Sequence, residues 1–225
     1  MEMTKKLICL LIFQILLVGC SSSSFKLEDQ KKAFELFKDS FSSKQDMYKV
    51  YDSKEINKIK YPVVEIRTNG LVKQDLMIPI SKRNKYVNYL SGSGNSATFE
   101  EFFLTKTNGF NVGLISLSQT EINLFADKSS YNKKNKHQKE YTFINTDYKS
   151  NTYKFVCNLK YGSTQQVMIL DVMFMLHLIY EECKNDKYSF VNEYFLDEEN
   201  FVWKSKQWAS VENIFFEITI LKKDY

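Results

Sequence analysis

The chain has 225 residues, a formal net charge of +4, 26% charged residues, 15% aromatic residues and two histidines. A charge balance this mild excludes a nucleic-acid partner, which needs a concentrated basic face. Beyond the N-terminal segment about 200 residues remain, enough to bury one large β domain in preference to two small ones.

Lys5 and Lys6 precede an apolar run from Leu7 to Val18, and the order Leu17, Val18, Gly19, Cys20 follows. A basic start, a short apolar segment and a small residue before a cut read as an export signal. Leu-Val-Gly-Cys resembles the lipobox of bacterial lipoproteins, in which the peptide is cut before a cysteine whose sulfur carries a diacylglyceryl group. The resemblance implies residues 1–19 as signal peptide, Cys20 as the lipidated first residue of the mature chain, and 20–27 as a tether. A plain anchor helix is the alternative, but spanning a bilayer takes about 20 apolar residues and this run holds roughly twelve. Two acyl chains anchor stably without crossing. Ser21 stands where an aspartate often retains such proteins in the inner membrane, so the analogy implies the outer membrane, with a single β-rich domain (28–225) facing the periplasm. Val167 to Tyr180, the next most apolar stretch, is interrupted by Asp171 and His177 and is too short to span. With Cys9 lost and Cys20 acylated, Cys157 and Cys183 are the remaining thiols of an oxidising compartment. A bridge would stabilise the fold by about 3–4 kcal/mol in the chain-entropy model; the sequence leaves open whether the sulfurs meet.

From Glu28 to Phe41 the residues Ala33, Phe34, Phe37 and Phe41 fall on one helical face, which packs on the domain or takes a partner. Ser53 is positioned to cap a second, short helix to Ile59, before Tyr61 and Pro62 force the chain extended. Beyond Pro62, β-branched runs Val63 to Thr68 and Leu71 to Ile80 flank Asn69-Gly70, a strong hairpin signal. Asn108-Gly109 repeats the device between Phe99 to Thr105 and Phe110 to Ser118, with Ser91 to Ser96 as the loop joining the two hairpins. Further strands are expected at Tyr86 to Leu90, Tyr141 to Asp147, Thr152 to Tyr161, Gln165 to Tyr180 with one break, Tyr188 to Leu196, Phe201 to Ala209 and Ile214 to Leu221. About eleven strands with short turns predict a mainly β fold. It is an antiparallel meander sheet curled into a sandwich or partly open barrel, with one N-terminal amphipathic helix packed on it. Asp127 to Glu140, with five lysines around His137, has no apolar pattern and reads as a solvated loop, with lipid headgroups or an acidic polysaccharide as alternative contacts.

Near the C-terminus stand Asn192, Tyr194, Asp197, Val202, Trp203, Lys204, Ser205 and Gln207. Their order resembles the closing motif of the YjbF/GfcB family, the group 4 capsule polysaccharide lipoproteins. The family pattern is roughly Asn-x-Tyr-Trp, an Asp, a Gly-containing turn, then Val-Trp-Arg/Lys-Ser-x-Gln, a last strand ending near a lysine (here Lys222), and an earlier acidic residue that falls on Glu181 or Glu182. Departures are Phe195 for Trp, Asn200 for Gly, Phe110 for an Arg and Val211 for a Pro. Asn200 tolerates a left-handed turn. By alternation Phe201, Trp203, Ser205 and Gln207 share one face of the return strand and Val202, Lys204, Lys206 and Trp208 the other. Asn192, Tyr194, Asp197, Trp203, Ser205 and Gln207 are therefore candidate binding residues of a cleft or barrel mouth, or else structural residues that hydrogen-bond neighbouring strands.

No nucleophile-base pair and no His/Cys metal spacing is evident, so no metal, cofactor or catalytic residue is expected. The resemblance implies a non-catalytic, lipid-anchored accessory protein for capsule or exopolysaccharide production or export. Its partners would be the membrane through Cys20, an outer-membrane polysaccharide-export protein, and polysaccharide. A lipid or lipoprotein carrier with an apolar half-barrel is the alternative, and a polysaccharide hydrolase using Glu181-Glu182 or Asp197 to Glu199 is a third reading.

Overall fold

The computed structural model describes residues 51–69, 71–110, 112–120, 136–145 and 147–223, with side chains except at 71–73. The signal segment, Cys20, the tether, the Glu28 to Phe41 helix and the 127–135 part of the lysine-rich stretch lie outside those residues.

A single helical turn and a half, α1 (Ser53–Lys58), opens the described chain. Its cap is Asp52, one residue earlier than expected, because the Asp52 carboxylate accepts the Lys54 N–H at 2.9 Å and takes Ser53 Oγ as a further donor. Ile56 is its buried anchor, packed with Tyr51, Val63, Leu76 and Ile78.

Twelve strands follow: β1 (Val63–Thr68), β2 (Leu71–Arg83), β3 (Tyr86–Ser91), β4 (Ser96–Glu100), β5 (Phe103–Asn108), β6 (Leu114–Gln119), β7 (Lys136–Ile144), β8 (Ser150–Ile169), β9 (Val172–Lys184), β10 (Ser189–Leu196), β11 (Val202–Ser210) and β12 (Ile214–Lys222). They form one antiparallel sheet in the order β5-β4-β3-β2-β1-β12-β11-β10-β9-β8-β7-β6, so two meanders are joined where the first strand pairs with the last. A sheet this wide curls to hide its apolar face. Its edges, β5 and β6, come back alongside each other, and in the short connection between them Thr107 Oγ1 donates to Val112 O at 2.9 Å. The result is a nearly closed barrel, as the meander pattern predicts.

Several boundaries differ from the pattern. Phe99 to Thr105 is broken into β4 and β5 by a turn in which Glu101 takes φ 57°. The Ser91 to Ser96 stretch is then the β3–β4 turn and does not join two hairpins. Asn108-Gly109 does not make a hairpin, since β5 and β6 are opposite edges of the sheet. Gly109 has φ +89°, and a Cβ there would sit 2.3 Å from Asn95 Oδ1. The Asn95 amide is itself held, donating to Asp75 Oδ2 at 2.6 Å. The stretch from 136 to 140 is no loop: it forms the start of β7, with Lys136, Gln138 and Glu140 alternating against buried His137 and Lys139. Gln165 to Tyr180 does break once, at Leu170 with φ 52°, and Thr152 to Ile169 is one long strand with a register shift between Tyr161 and Thr164.

Three apolar clusters fill the fold. The largest centres on Trp208, stacked on Phe190 at 4.3 Å and met edge-on by Tyr141 and Phe155; each such pair contributes about 0.5–1.5 kcal/mol beyond area burial. In another, the distal half of the β8–β9 hairpin lays Ile169, Leu176 and Leu178 on Phe195 and Trp203.

Gly109→Ala is expected to cost about 1–3 kcal/mol, since it adds a left-handed penalty to a clash with a side chain that is tied in place. Urea unfolding of the variant would show it, and an unchanged midpoint would contradict the close packing of Gly109 on Asn95.

Candidate functional site

The motif residues of β10 and β11 converge on two places, neither of which is an open cleft. In the first, the β9–β10 register sets Asn192 opposite Glu181, and alternation brings Lys139 and His137 of β7 to the same carboxylate. Lys139 Nζ, Asn192 Nδ2 and Tyr194 OH donate to Glu181 Oε2 at 2.7, 2.6 and 3.0 Å, and His137 Nε2 lies 2.6 Å from Oε1. Four donors fill about four lone-pair sites of a carboxylate. The four polar partners and Glu181 are all buried. Lys139 also caps the Phe103 ring at 4.7 Å, and Asn192 Oδ1 accepts the Trp208 N–H at 2.7 Å.

Burial alone would raise the Glu181 carboxyl; the Lys139 ammonium and the His137 and Lys139 hydrogen bonds outweigh it and hold the group at about 2. Burial pulls Lys139 below its usual range against the opposing attraction of Glu181, and it lifts the Tyr194 and Tyr141 hydroxyls well above theirs, with the Glu181 charge adding to it. Glu182, the other acidic candidate, pairs at the surface with Lys160 at 2.7 Å.

The second place is the β10–β11 turn and its return strand. Asp197 accepts the Phe201 N–H at 2.8 Å and the Glu199 N–H at 3.0 Å through one oxygen, and the Trp203 indole N–H at 2.7 Å through the other. Asn200 takes φ 65°, the left-handed turn expected of it. Simple alternation then fails, because a bulge between Phe195 and Leu196 in the pairing moves Trp203 away from the face of Ser205. Val202 joins the main cluster, Trp203 packs on Phe174 and Phe201, and Trp208 is central to the main core and not aligned with Lys204 and Lys206. Gln207 reaches across the interior: its Oε1 accepts the Leu104 N–H at 3.0 Å, and its Nε2 donates to Phe102 O at 2.8 Å and to Ser205 Oγ at 2.9 Å. Lys222 ties β12 to α1, donating to the carbonyls of Asn57 and Ile59. Phe110, in place of an Arg, is an apolar residue set edge-on to Phe216.

Cys157 and Cys183 face each other in the β8–β9 register and are joined as a disulfide. The donor atoms of His137, Cys157 and Glu181 lie within 4.8 Å of one another. That set does not suit a metal ion, since the sulfur is bonded to its partner and the carboxylate already accepts four donors. His177 is hydrogen-bonded within the hairpin, its Nδ1 lying 2.9 Å from Thr164 Oγ1.

A cavity among the described residues lies elsewhere. A partly open cavity of about 630 Å³ lies at the end of the barrel where β1 and β11 begin and β12 finishes. Tyr89, Phe99, Phe102, Phe201 and Trp203 supply aromatic wall, Val64, Ile218 and Ile220 aliphatic wall. Lys82, Lys204, Lys222 and Lys223 supply positive charge, and among the described residues Glu101 is the only carboxylate in the lining. Lys223 covers the Phe201 and Trp203 rings at 5.0 and 5.3 Å. Of the sequence candidates, Trp203 and Ser205 reach this cavity, while Asn192, Tyr194, Asp197 and Gln207 do not. Sequence reasoning missed the Lys139 and His137 contribution, for which the alternation His137, Lys139, Tyr141, Phe143 is the available signal.

A family model described as "Group 4 capsule polysaccharide lipoprotein gfcB, YjbF" matches residues 34–221. No curated protein matches the chain. Among solved structures, that of the hypothetical lipoprotein YmcC from Escherichia coli (K12) shares 15% identity and superposes with a TM-score of 0.67 over 90% of this chain and 99% of that one, which establishes a shared fold.

Glu181→Gln is expected to cost about 3–5 kcal/mol in urea unfolding at pH 7, because it strands the buried Lys139 ammonium. With a folded value near 2 against the ordinary 4.5, the Glu181 contribution is fully present above about pH 4.5 and is lost as pH falls toward 2. The wild-type stability should fall through that window and the variant's should fall less; parallel profiles would contradict the assignment.

Proposed function

The chain belongs to the YjbF family of group 4 capsule polysaccharide lipoproteins, and from that premise we propose that it is a lipid-anchored, non-catalytic accessory protein that binds capsule or exopolysaccharide during its production or export at the periplasmic face of the outer membrane. The supporting observation is the chemistry of the mouth cavity. Aromatic faces suit the C–H faces of sugar rings, and Lys82, Lys204 and Lys223 suit the carboxylates or phosphates of an acidic glycan. Hydrolysis of a glycosidic bond asks for two carboxyl groups flanking it; among the described residues Glu101 is the one carboxylate in the lining, which supports a cavity that holds a chain. The lipidated Cys20 would keep that mouth near the membrane, where an outer-membrane export protein is the expected neighbour.

A second reading rests on the same walls. Pro62, Val64, Val87, Ile218 and Ile220 make one side of the cavity apolar, which favours a carrier that takes an acyl chain. The two readings separate on ligand chemistry, since the lysines matter for an acidic glycan and the aliphatic wall for a lipid.

Trp203 lines the cavity, and the chain's other tryptophan, Trp208, is in the core. In a Trp208→Phe background, acidic oligosaccharide from the producing cell's own surface polysaccharide should change Trp203 emission saturably. Adding Lys82→Glu and Lys204→Glu should weaken the binding at least tenfold, about 1.4 kcal/mol. Emission that responds to fatty acid and is indifferent to the glycan would move the assignment to the carrier, and deletion of the gene with surface polysaccharide unchanged would contradict the accessory role.

A further inference from the structure

The distal part of the β8–β9 hairpin has two faces with different jobs. One packs on the barrel through Ile169, Leu176 and Leu178. The other carries the cross-strand pairs Thr164 with His177, Gln166 with Met175 and Met168 with Met173, and its methionines are exposed to 66% at Met168, 51% at Met173 and 55% at Met175. Outward strand positions ordinarily carry β-branched or polar residues. Three thioethers together at such positions gain nothing from burial and are not called for by the barrel's packing.

On one strand face, directly paired side chains have Cβ atoms about 4.5–5.5 Å apart, and diagonal neighbours at about 7–8 Å are still within reach of long side chains. Methionine, unbranched with three rotatable bonds, can therefore bring the sulfurs of Met168, Met173 and Met175 to a common point. His177 stands in the next row after Met175, and its Nδ1 is engaged by Thr164 Oγ1 at 2.9 Å. That contact orients the ring as an outer-shell partner does and leaves Nε2 as the ligand nitrogen. We propose that Met168, Met173, Met175 and His177 form a surface site for a soft monovalent cation, Cu(I). Thioethers with one imidazole select Cu(I) over magnesium, calcium or manganese, which prefer oxygen. Thioethers also persist where thiols pair off, as Cys157 and Cys183 do here. The site is independent of the cavity and of any ligand held there.

Silver(I) is the probe of choice: it copies the softness of Cu(I) and needs no reductant, so the Cys157–Cys183 bridge stays closed. Calorimetric titration of the full-length protein in detergent should show one saturable silver ion per chain, insensitive to millimolar magnesium or calcium. Methyl spectra should show shifts at Met168, Met173 and Met175 and none at the buried Met77. Met175→Leu and His177→Gln should each weaken binding at least tenfold, and Met168→Leu/Met173→Leu/Met175→Leu should abolish it. These positions are on the surface, and unchanged circular dichroism would show that the variants fold. Leucine keeps the surface apolar, so a face that docks on lipid would survive the triple change. Vesicle binding shared equally by wild type and triple variant, with no silver uptake by either, would overturn the proposal, as would silver uptake that the triple variant retains.

Discussion

The buried Glu181 carboxylate constrains the rest of the barrel. Taking such a charge out of water costs several kcal/mol, and a buried ion pair seldom repays that in full. What it supplies is specification. Lys139 and His137 arrive from β7, Asn192 and Tyr194 from β10, and all four donors meet the carboxylate only in one register of β7, β8, β9 and β10. A slip of one residue would turn Lys139 to the other face and leave Glu181 buried without its cation. The disulfide between Cys157 and Cys183 crosses the β8–β9 pair inside that same frame.

From that frame the motif works outward to the cavity. Asn192 hands its carbonyl oxygen to the Trp208 N–H and so holds β11 against β10. Asp197 closes the turn and fixes the Trp203 indole. Gln207 spans the interior to the backbone of Phe102 and Leu104, which sets the opposite wall. Residues that read from sequence as candidates for ligand contact are mostly the struts of the mouth, with Trp203 and Ser205 reaching its lining. Loss of function on substituting Asn192, Tyr194 or Gln207 would therefore report on the shape of the cavity and not on a contact made in it.

The meander, the strand boundaries from β10 to β12 and the family motif were legible because they rest on local signals: β-branched runs, turn residues and a fixed spacing; β9 runs on to Lys184, past the expected end at Tyr180. The misreadings have local causes too. Lys136 to Glu140 looks like solvated loop because charge hides a period-two pattern, and a lysine earns burial only through Glu181, more than forty residues away. Asn108-Gly109 looks like a hairpin, yet the left-handed glycine is needed for close approach to Asn95 and the two strands it separates become the edges of the sheet. Alternation along β11 misplaced Trp203 and Trp208 because register irregularities leave no mark in composition. The cavity was invisible for the same reason, since Lys82, Glu101 and Lys223 are brought together by closure alone.

We propose that the mouth cavity is where this capsule lipoprotein meets its glycan. The most direct measurement is affinity capture of the lipidated protein from detergent-extracted envelopes, with mass spectrometry of co-purifying glycan, lipid and protein, run beside a variant with Lys82→Glu and Lys204→Glu. Surface polysaccharide and an outer-membrane export protein are expected with the wild type, and glycan strongly depleted with the variant. Acyl lipid in place of glycan, or glycan retained equally by the variant, would contradict the proposal.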